Sequence, residues 1–202
     1  MNAKSILICL IAFAAPAFAT APGDKVANFK LKDQNGEAHE LYSLSERKAV
    51  VLMIQGNGCP IVRQTLPALQ EIRDRYQAQG VEFLLVNPNL QDNRESIASE
   101  AKEFSIKLPI LVDSTQAVGE ALGVQRTAEV FVIDPKNWKL AYRGPMDDRL
   151  SYESQRPTAS KHYLTDALDT MLAGEPVKVT HADGVGCLVN FPERGKTKKG
   201  KS

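Results

Sequence analysis

Residues 50–62, reading VVLMIQGNGCPIV, constrain the fold more than any other part of the chain. Five consecutive apolar residues (Val50, Val51, Leu52, Met53, Ile54) read as a buried strand, and Gln55-Gly56-Asn57-Gly58 is turn chemistry that ends it. Cys59 follows, directly ahead of Pro60, a residue favoured in the first helical turn because its missing N–H has no helical partner to lose. A thiol is thereby set at a helix N-terminus, where unpaired N–H groups and the positive end of the helix dipole favour the thiolate. The competing reading is a small buried cysteine packed like any hydrophobe. Glycines on one side and a proline on the other favour the reactive one.

The segments around this stretch alternate in type. Residues 27–32 place Phe29 and Leu31 on one face, and Asp33-Gln34-Asn35-Gly36 predicts the turn of an opening hairpin. Residues 41–46 lead into the central strand. From Pro60, the apolar residues Ile61, Leu66, Leu69, Ile72 and Tyr76 recur at roughly helical spacing as far as Gly80, with a kink expected at Pro67. Residues 81–86 form a second apolar run, and Asp92 is a candidate cap for a helix reaching about Phe104. A short strand over 108–112, a short helix over 115–122 and a strand over 130–133 come next. Residues 139–143 are expected to pair with that last strand. An amphipathic helix over 161–172 turns Leu164, Leu168 and either Met171 or Leu172 inward. The order β-α-β-α-β-β-α around a reactive cysteine predicts an α/β chain with a thioredoxin-like three-layer fold, a central mixed sheet and an N-terminal hairpin.

A length of 202 residues, with 43% hydrophobic and 24% charged, suits one soluble globular domain. The net charge of +1 gives no electrostatic case for a nucleic-acid partner. Residues 1–19 read as a secretory signal peptide: Lys4 supplies the positive start, 6–15 an apolar run, and Ala17-Phe18-Ala19 a small-x-small cleavage site. That run is short of the roughly 20 residues that span a bilayer, so no stable membrane span is expected. The expected organisation is a redoxin domain over 20–192 and a basic, disordered tail over 193–202, where Arg194, Lys196, Lys198, Lys199 and Lys201 cluster. Contact of that tail with an anionic membrane or partner is the lesser reading. Cleavage would remove Cys9 and leave Cys59 and Cys187 in a periplasmic or extracellular compartment that permits disulfides.

Four stretches carry a family resemblance: GNGCP (56–60), RTAEVFVID (126–134), YRGPMDD (142–148) and DGVGCLVNF (183–191). Over about residues 22–191 the chain resembles redoxins of the alkyl hydroperoxide reductase/thiol-specific antioxidant superfamily, and within it an exported peroxiredoxin-like group with a Gly-Cys-Pro active site. The departures matter too. Thioredoxins carry C-x-x-C, and here Cys59 holds the first position while Val62 stands at the second. In proteins similar to true peroxiredoxins that second position is the peroxide-reacting Cys, with a Thr or Ser three residues before it. Val62 is no thiol, and Gly56, three before Cys59, has no hydroxyl. Thioredoxin-like folds also carry a cis-proline facing the Cys, often after a Thr. This chain has Thr127-Ala128, and a cis bond before Ala costs about 2.5–4 kcal/mol, so a trans bond and an altered substrate groove are expected.

The resemblance implies that Gly186-Cys187 is a family feature and makes Cys187 a candidate resolving partner for Cys59; an unreactive structural cysteine is the alternative. The expected function is an exported thiol-based oxidoreductase acting on disulfides or oxidised sulfur, with a protein or small-molecule thiol or disulfide partner and no cofactor. Peroxiredoxin-type antioxidant activity is an alternative. A Cu(I) site from Cys59, Cys187 and His181 is another, set back because redoxin-fold copper chaperones use two close cysteines on the active loop. A non-catalytic redoxin fold kept as an interaction module is also open. Gly58, Pro60, Arg63, Thr127 and Ala128 are the expected groove and thiolate-supporting residues. Arg63, one turn after Cys59, either steadies a thiolate or binds an anionic substrate, or is a solvated helix residue. His39 and His162 read as surface residues, Asp147-Asp148 as loop caps and Trp138 as packing.

Overall fold

A computed structural model describes residues 20–192; the expected leader and basic tail lie outside them. The opening hairpin pairs β1 (Lys30–Lys32) with β2 (Ala38–Glu40), antiparallel. Its turn is held by Asp33, whose Oδ1 accepts the Asn35 and Glu37 N–H groups. His39 is less solvated than expected: its Nε2 lies 3.0 Å from Asp33 Oδ2. A short 3-10 turn, Leu41–Leu44, then feeds β3 (Ala49–Ile54), the centre of the molecule.

Strand β3 is buried at every position because both faces of the sheet are covered. The sheet runs β5-β4-β3-β6-β7, where β4 is Val81–Asn87, β5 Ile110–Val112, β6 Val130–Asp134 and β7 Lys139–Gly144. Strands β3, β4 and β5 are parallel, while β6 and β7 run antiparallel, giving the expected mixed sheet. The period-two alternation of a strand sends Ala49, Val51 and Met53 to one face and Val50, Leu52 and Ile54 to the other.

The first face packs against three helices: α1 (Pro60–Gln77) through Val62, Leu66, Leu69 and Tyr76, α2 (Arg94–Glu103) through Ile97 and Ala101, and α4 (Tyr163–Leu172) through Leu164, Ala167 and Leu168. The second face packs against α3 (Ala117–Leu122) through Val118 and Leu122, and against the hairpin through Phe29 and Leu31. Each Val, Leu or Ile buried in these layers stabilises the fold by about 1.5–3 kcal/mol. Helix α1 is one continuous element with Pro67 inside it. Trp138 packs as expected, stacking on Tyr42 with ring centroids 4.3 Å apart. Among the described residues no helix is long and apolar enough to cross a membrane.

One expected cap is different. Asn93, not Asp92, caps α2: its side chain accepts the Ser96 N–H, and the Ser96 hydroxyl accepts the Asn93 N–H in a capping box. Asp92 turns the other way, because three N–H groups converge on its Oδ2, from the Asn57 backbone, the Asn87 side chain and the Asn89 side chain. It anchors the loop that carries Cys59.

Candidate active site

Cys59 is the N-cap of α1, and Pro60 takes the first helical position. The loop before it is fixed by a polar network at the end of β3 and β4. Gln55 Nε2 donates to Asn57 Oδ1, Asn87 Nδ2 donates to Gln55 Oε1, and Asn57 Nδ2 donates to Ser96 Oγ. The Gly58 N–H donates to Glu100 Oε1, so helix α2 clamps the residue next to the thiol. Arg63 secures that clamp: its Nε and Nη2 reach the two Glu100 oxygens at 3.0 and 2.9 Å, and its guanidinium lies 3.9 Å above the Phe104 ring. Its hydrogen bonds go to Glu100, and the Cys59 sulfur acts on it only as a lesser charge. Arg63 positions the loop through Glu100.

Thr127 and Ala128 lie across from the thiol. No peptide bond among the described residues is cis, as expected at Thr127-Ala128. Ala128 takes φ +62, a left-handed conformation that strains a residue with a Cβ, and donates its N–H to the Ile54 carbonyl at 2.7 Å. This directs the Thr127 side chain at the sulfurs. Thr127 Oγ1 lies 3.0 Å from Cys59 Sγ and accepts the Cys187 backbone N–H at 3.0 Å. With its lone pair engaged by that N–H, the hydroxyl proton is free to point at Cys59.

Cys187 reaches the site from 128 positions further along the chain. After α4 the chain runs beside β7, where Arg143 N donates to the Thr180 carbonyl and Ala182 N to the Arg143 carbonyl. It then crosses the end of the sheet and forms a bridge to the segment before β6: Thr127 N donates to the Cys187 carbonyl, Val189 N to the Gln125 carbonyl, and Arg126 faces Leu188 in antiparallel register. Gly186 is required by this approach, since a Cβ there would overlap the Thr127 carbonyl oxygen. The two sulfurs end 2.8 Å apart, with Cys187 as donor to Cys59.

The electrostatics divide the pair. Burial, which leaves Cys59 3% exposed, works against its thiolate, but hydrogen bonds from the Cys187 thiol and the Thr127 hydroxyl outweigh it and lower its pKa. The Val62 backbone N–H at the helix start adds to this without closing a cap hydrogen bond onto the sulfur. Cys187, though exposed, moves the other way: desolvation and donation to Cys59 raise its pKa. The arrangement sets a buried sulfur whose thiolate form is favoured against an exposed thiol that holds its proton more tightly.

Other expected site residues fall elsewhere. His181 does not join the cysteines; its Nδ1 lies 3.2 Å from the Arg143 carbonyl oxygen, and it lines a cleft of about 410 Å³ with Arg126, Glu129 and Asp183. Among the described residues, the side chains close enough to share a metal ion are Asp33, Glu37 and His39 at the hairpin turn, a group that includes neither thiol. Asp147 and Asp148 are loop caps: Asp147 accepts the Arg149 N–H, and Asp148 accepts from Ser160, Lys161 and Arg156. Gly56 is more informative than its missing hydroxyl suggested. A Cβ there would crowd the Asn89 side-chain amide and the Thr127 methyl, so a threonine or serine beside Cys59 would have to push those side chains aside. Glu100, Asp92 and Tyr152, whose hydroxyl donates to the Gly186 carbonyl at 3.1 Å, are site residues that the sequence reading missed.

The AhpC/TSA family model matches residues 22–142, a range that contains Cys59 and Thr127 but stops short of Cys187. The thiol-disulfide oxidoreductase ResA of Halalkalibacterium halodurans is 30% identical over 112 residues, covering 55% of this chain and 62% of the relative, less than two thirds of its length. A hypothetical protein from Sinorhizobium meliloti of known structure is 26% identical with a TM-score of 0.76, covering 88% of this chain and 98% of that one. Peroxidoxin BcpB from Mycobacterium tuberculosis, at 21% identity and a TM-score of 0.55 over 76% of this chain and 95% of that one, shares the thioredoxin-like fold.

Proposed function

Since the chain belongs to the AhpC/TSA family, we propose that it is a thiol-disulfide oxidoreductase in which Cys59 is the nucleophile and Cys187 the resolving thiol. One observation carries this reading: the Cys59 sulfur lies 2.8 Å from the Cys187 sulfur while the Thr127 hydroxyl supports it from 3.0 Å. The downward shift of Cys59 favours the nucleophilic form, and the neighbouring Cys187, shifted upward, offers both a proton and the second sulfur.

In the reducing direction the Cys59 thiolate attacks one sulfur of a client disulfide. A bond forms between Cys59 and that sulfur, the client S–S bond breaks, and the departing client thiolate takes up a proton. Cys187, deprotonated as Cys59 loses its negative charge, then attacks Cys59 Sγ. The mixed disulfide breaks, the second client thiolate leaves, and an intramolecular disulfide remains. Two electrons have passed to the client, and an external dithiol restores the reduced pair.

Gly56 counts against a peroxiredoxin-type peroxidase, because the chain has no hydroxyl there to receive a peroxide and a side chain would have to displace the Asn89 amide and the Thr127 methyl. The position of His181 counts against a Cu(I) site built on the two thiols. We place the protein outside the cytoplasm on the strength of residues 1–19, and N-terminal sequencing of exported material that starts at Thr20 is the expected result.

The activity is tested by reduction of a protein disulfide with the parent chain, Cys59→Ser and Cys187→Ser. Cys59→Ser should be inactive, and Cys187→Ser should stop after one round with the client covalently held on Cys59. A Cys59→Ser protein as active as the parent would sink the reading.

A further inference from the structure

The C-terminal segment pairs with Gln125–Thr127, just ahead of β6, through an isolated antiparallel bridge: it exchanges backbone hydrogen bonds with Gln125 and Thr127. The segment is extended, carries a cysteine, and delivers that cysteine to Cys59. Backbone pairing of this kind is how a sheet edge takes up a peptide, with affinity from the main chain and selectivity from alternate side chains. The side chains here define a pattern. Gly186 sits where a Cβ would overlap the Thr127 carbonyl oxygen, Cys187 meets Cys59, Leu188 is 73% exposed, and Val189 is buried. Gly186 is further held by the Arg126 guanidinium and the Tyr152 hydroxyl, both donating to its carbonyl.

Resting on the redox reading of Cys59, we infer that residues 186–189 are a self-docked surrogate for the client: the edge at Gln125–Thr127 accepts extended client segments of the form Gly-Cys-x-apolar, and the chain's own segment competes with them. The glycine requirement follows from the Thr127 carbonyl, and the tolerance at the third position follows from the exposure of Leu188. With the tail docked, Cys59 is only 3% exposed, so a client gains access as the tail leaves. The segment is thus both resolving arm and selectivity filter.

The test uses full-length Cys187→Ser and two peptides, Val-Gly-Cys-Leu-Val and Val-Ala-Cys-Leu-Val, each activated as a mixed disulfide with thionitrobenzoate. The Cys59 thiolate attacks the peptide sulfur, a Cys59–peptide disulfide forms, and the coloured thionitrobenzoate anion leaves with the electron pair of the broken S–S bond. The Gly-Cys peptide should react about tenfold faster than the Ala-Cys peptide, the factor expected of one forced overlap. Loosening the tail should speed both. Gly186→Ala in the Cys187→Ser background should raise the rates about tenfold. Tyr152→Phe, at an exposed residue, should raise them about threefold by removing the two hydrogen bonds its hydroxyl makes with Gly186, one donated to the carbonyl and a longer one accepted from the N–H. Equal rates for the two peptides, or rates unmoved in both loosened variants, overturn the inference while brisk reaction with cystamine leaves the redox reading standing. A Cys59 inert toward cystamine and both peptides overturns the redox reading and this inference with it.

Discussion

The Thr127 hydroxyl oxygen lies 3.0 Å from the Cys59 sulfur, and the same oxygen accepts the backbone N–H of Cys187. One side chain thus meets the Cys59 sulfur and seats Cys187. Thr127→Val keeps the shape and removes the hydroxyl, so the Cys59 pKa should rise and disulfide exchange at neutral pH should slow by roughly threefold to tenfold, the worth of one hydrogen bond of about 0.5–1.5 kcal/mol. Ultraviolet titration of the thiolate and stopped-flow exchange would measure the two effects. Unchanged values for both would remove Thr127 from the account.

The pH profile follows from the direction of the two shifts. The anion is the reactive form, so exchange through Cys59 rises as pH passes its folded pKa, which lies below the ordinary thiol value of 9.0. Cys187 is shifted upward, so it remains protonated over the range in which Cys59 first ionises. Cys187→Ala removes a hydrogen-bond donor to Cys59 and should move the rise to higher pH. It also uncovers the sulfur, so the limiting rate at high pH should increase. A profile identical to that of the parent would contradict the assigned hydrogen bond.

Position 128 tests the groove. Thioredoxin-like folds carry proline there, but Ala128 holds φ +62 and donates its N–H to Ile54, and proline can do neither. Ala128→Pro should therefore destabilise by about 3 kcal/mol or more, read from urea unfolding. Gly56→Thr should cost about 1–3 kcal/mol through overlap with Asn89 and Thr127, and should confer no peroxidase activity. Full stability in either variant would show that the groove is looser than these contacts require.

Arg63 separates a positioning role from direct support of the thiolate. Its fork grips Glu100, which holds the Gly58 N–H. Arg63→Ala should lower the melting temperature while changing the Cys59 alkylation rate by less than about twofold, as for a partly exposed ion pair. A large upward move in the Cys59 pH midpoint would instead put the guanidinium on the sulfur.

What could be read from the sequence was local. The apolar run 50–54, the glycine-rich turn and Cys59-Pro60 specify strand, loop and helix cap through propensity and periodicity, and the structure has them in that order. The assignment of Asp92 as a cap failed because Asn93 competes for the same role one residue later, and only the packed loop shows that Asp92 is claimed by Asn57, Asn87 and Asn89. Arg63 was ambiguous for a related reason: its partner, Glu100, lies on another helix. The docking of 186–189 on 125–127 joins distant segments through backbone bonds, and such pairing leaves little trace in side-chain pattern beyond the small residue at Gly186.

The central claim is that Cys59 and Cys187 form one redox couple, and mapping the oxidised protein tests it most directly. After mild oxidation of the reduced chain at low concentration, proteolysis and mass spectrometry should recover a single cross-linked fragment joining Cys59 to Cys187, lighter by two hydrogens and restored by a dithiol. Recovery of Cys59 as a sulfenate or an intermolecular disulfide, with Cys187 still a free thiol, would contradict it.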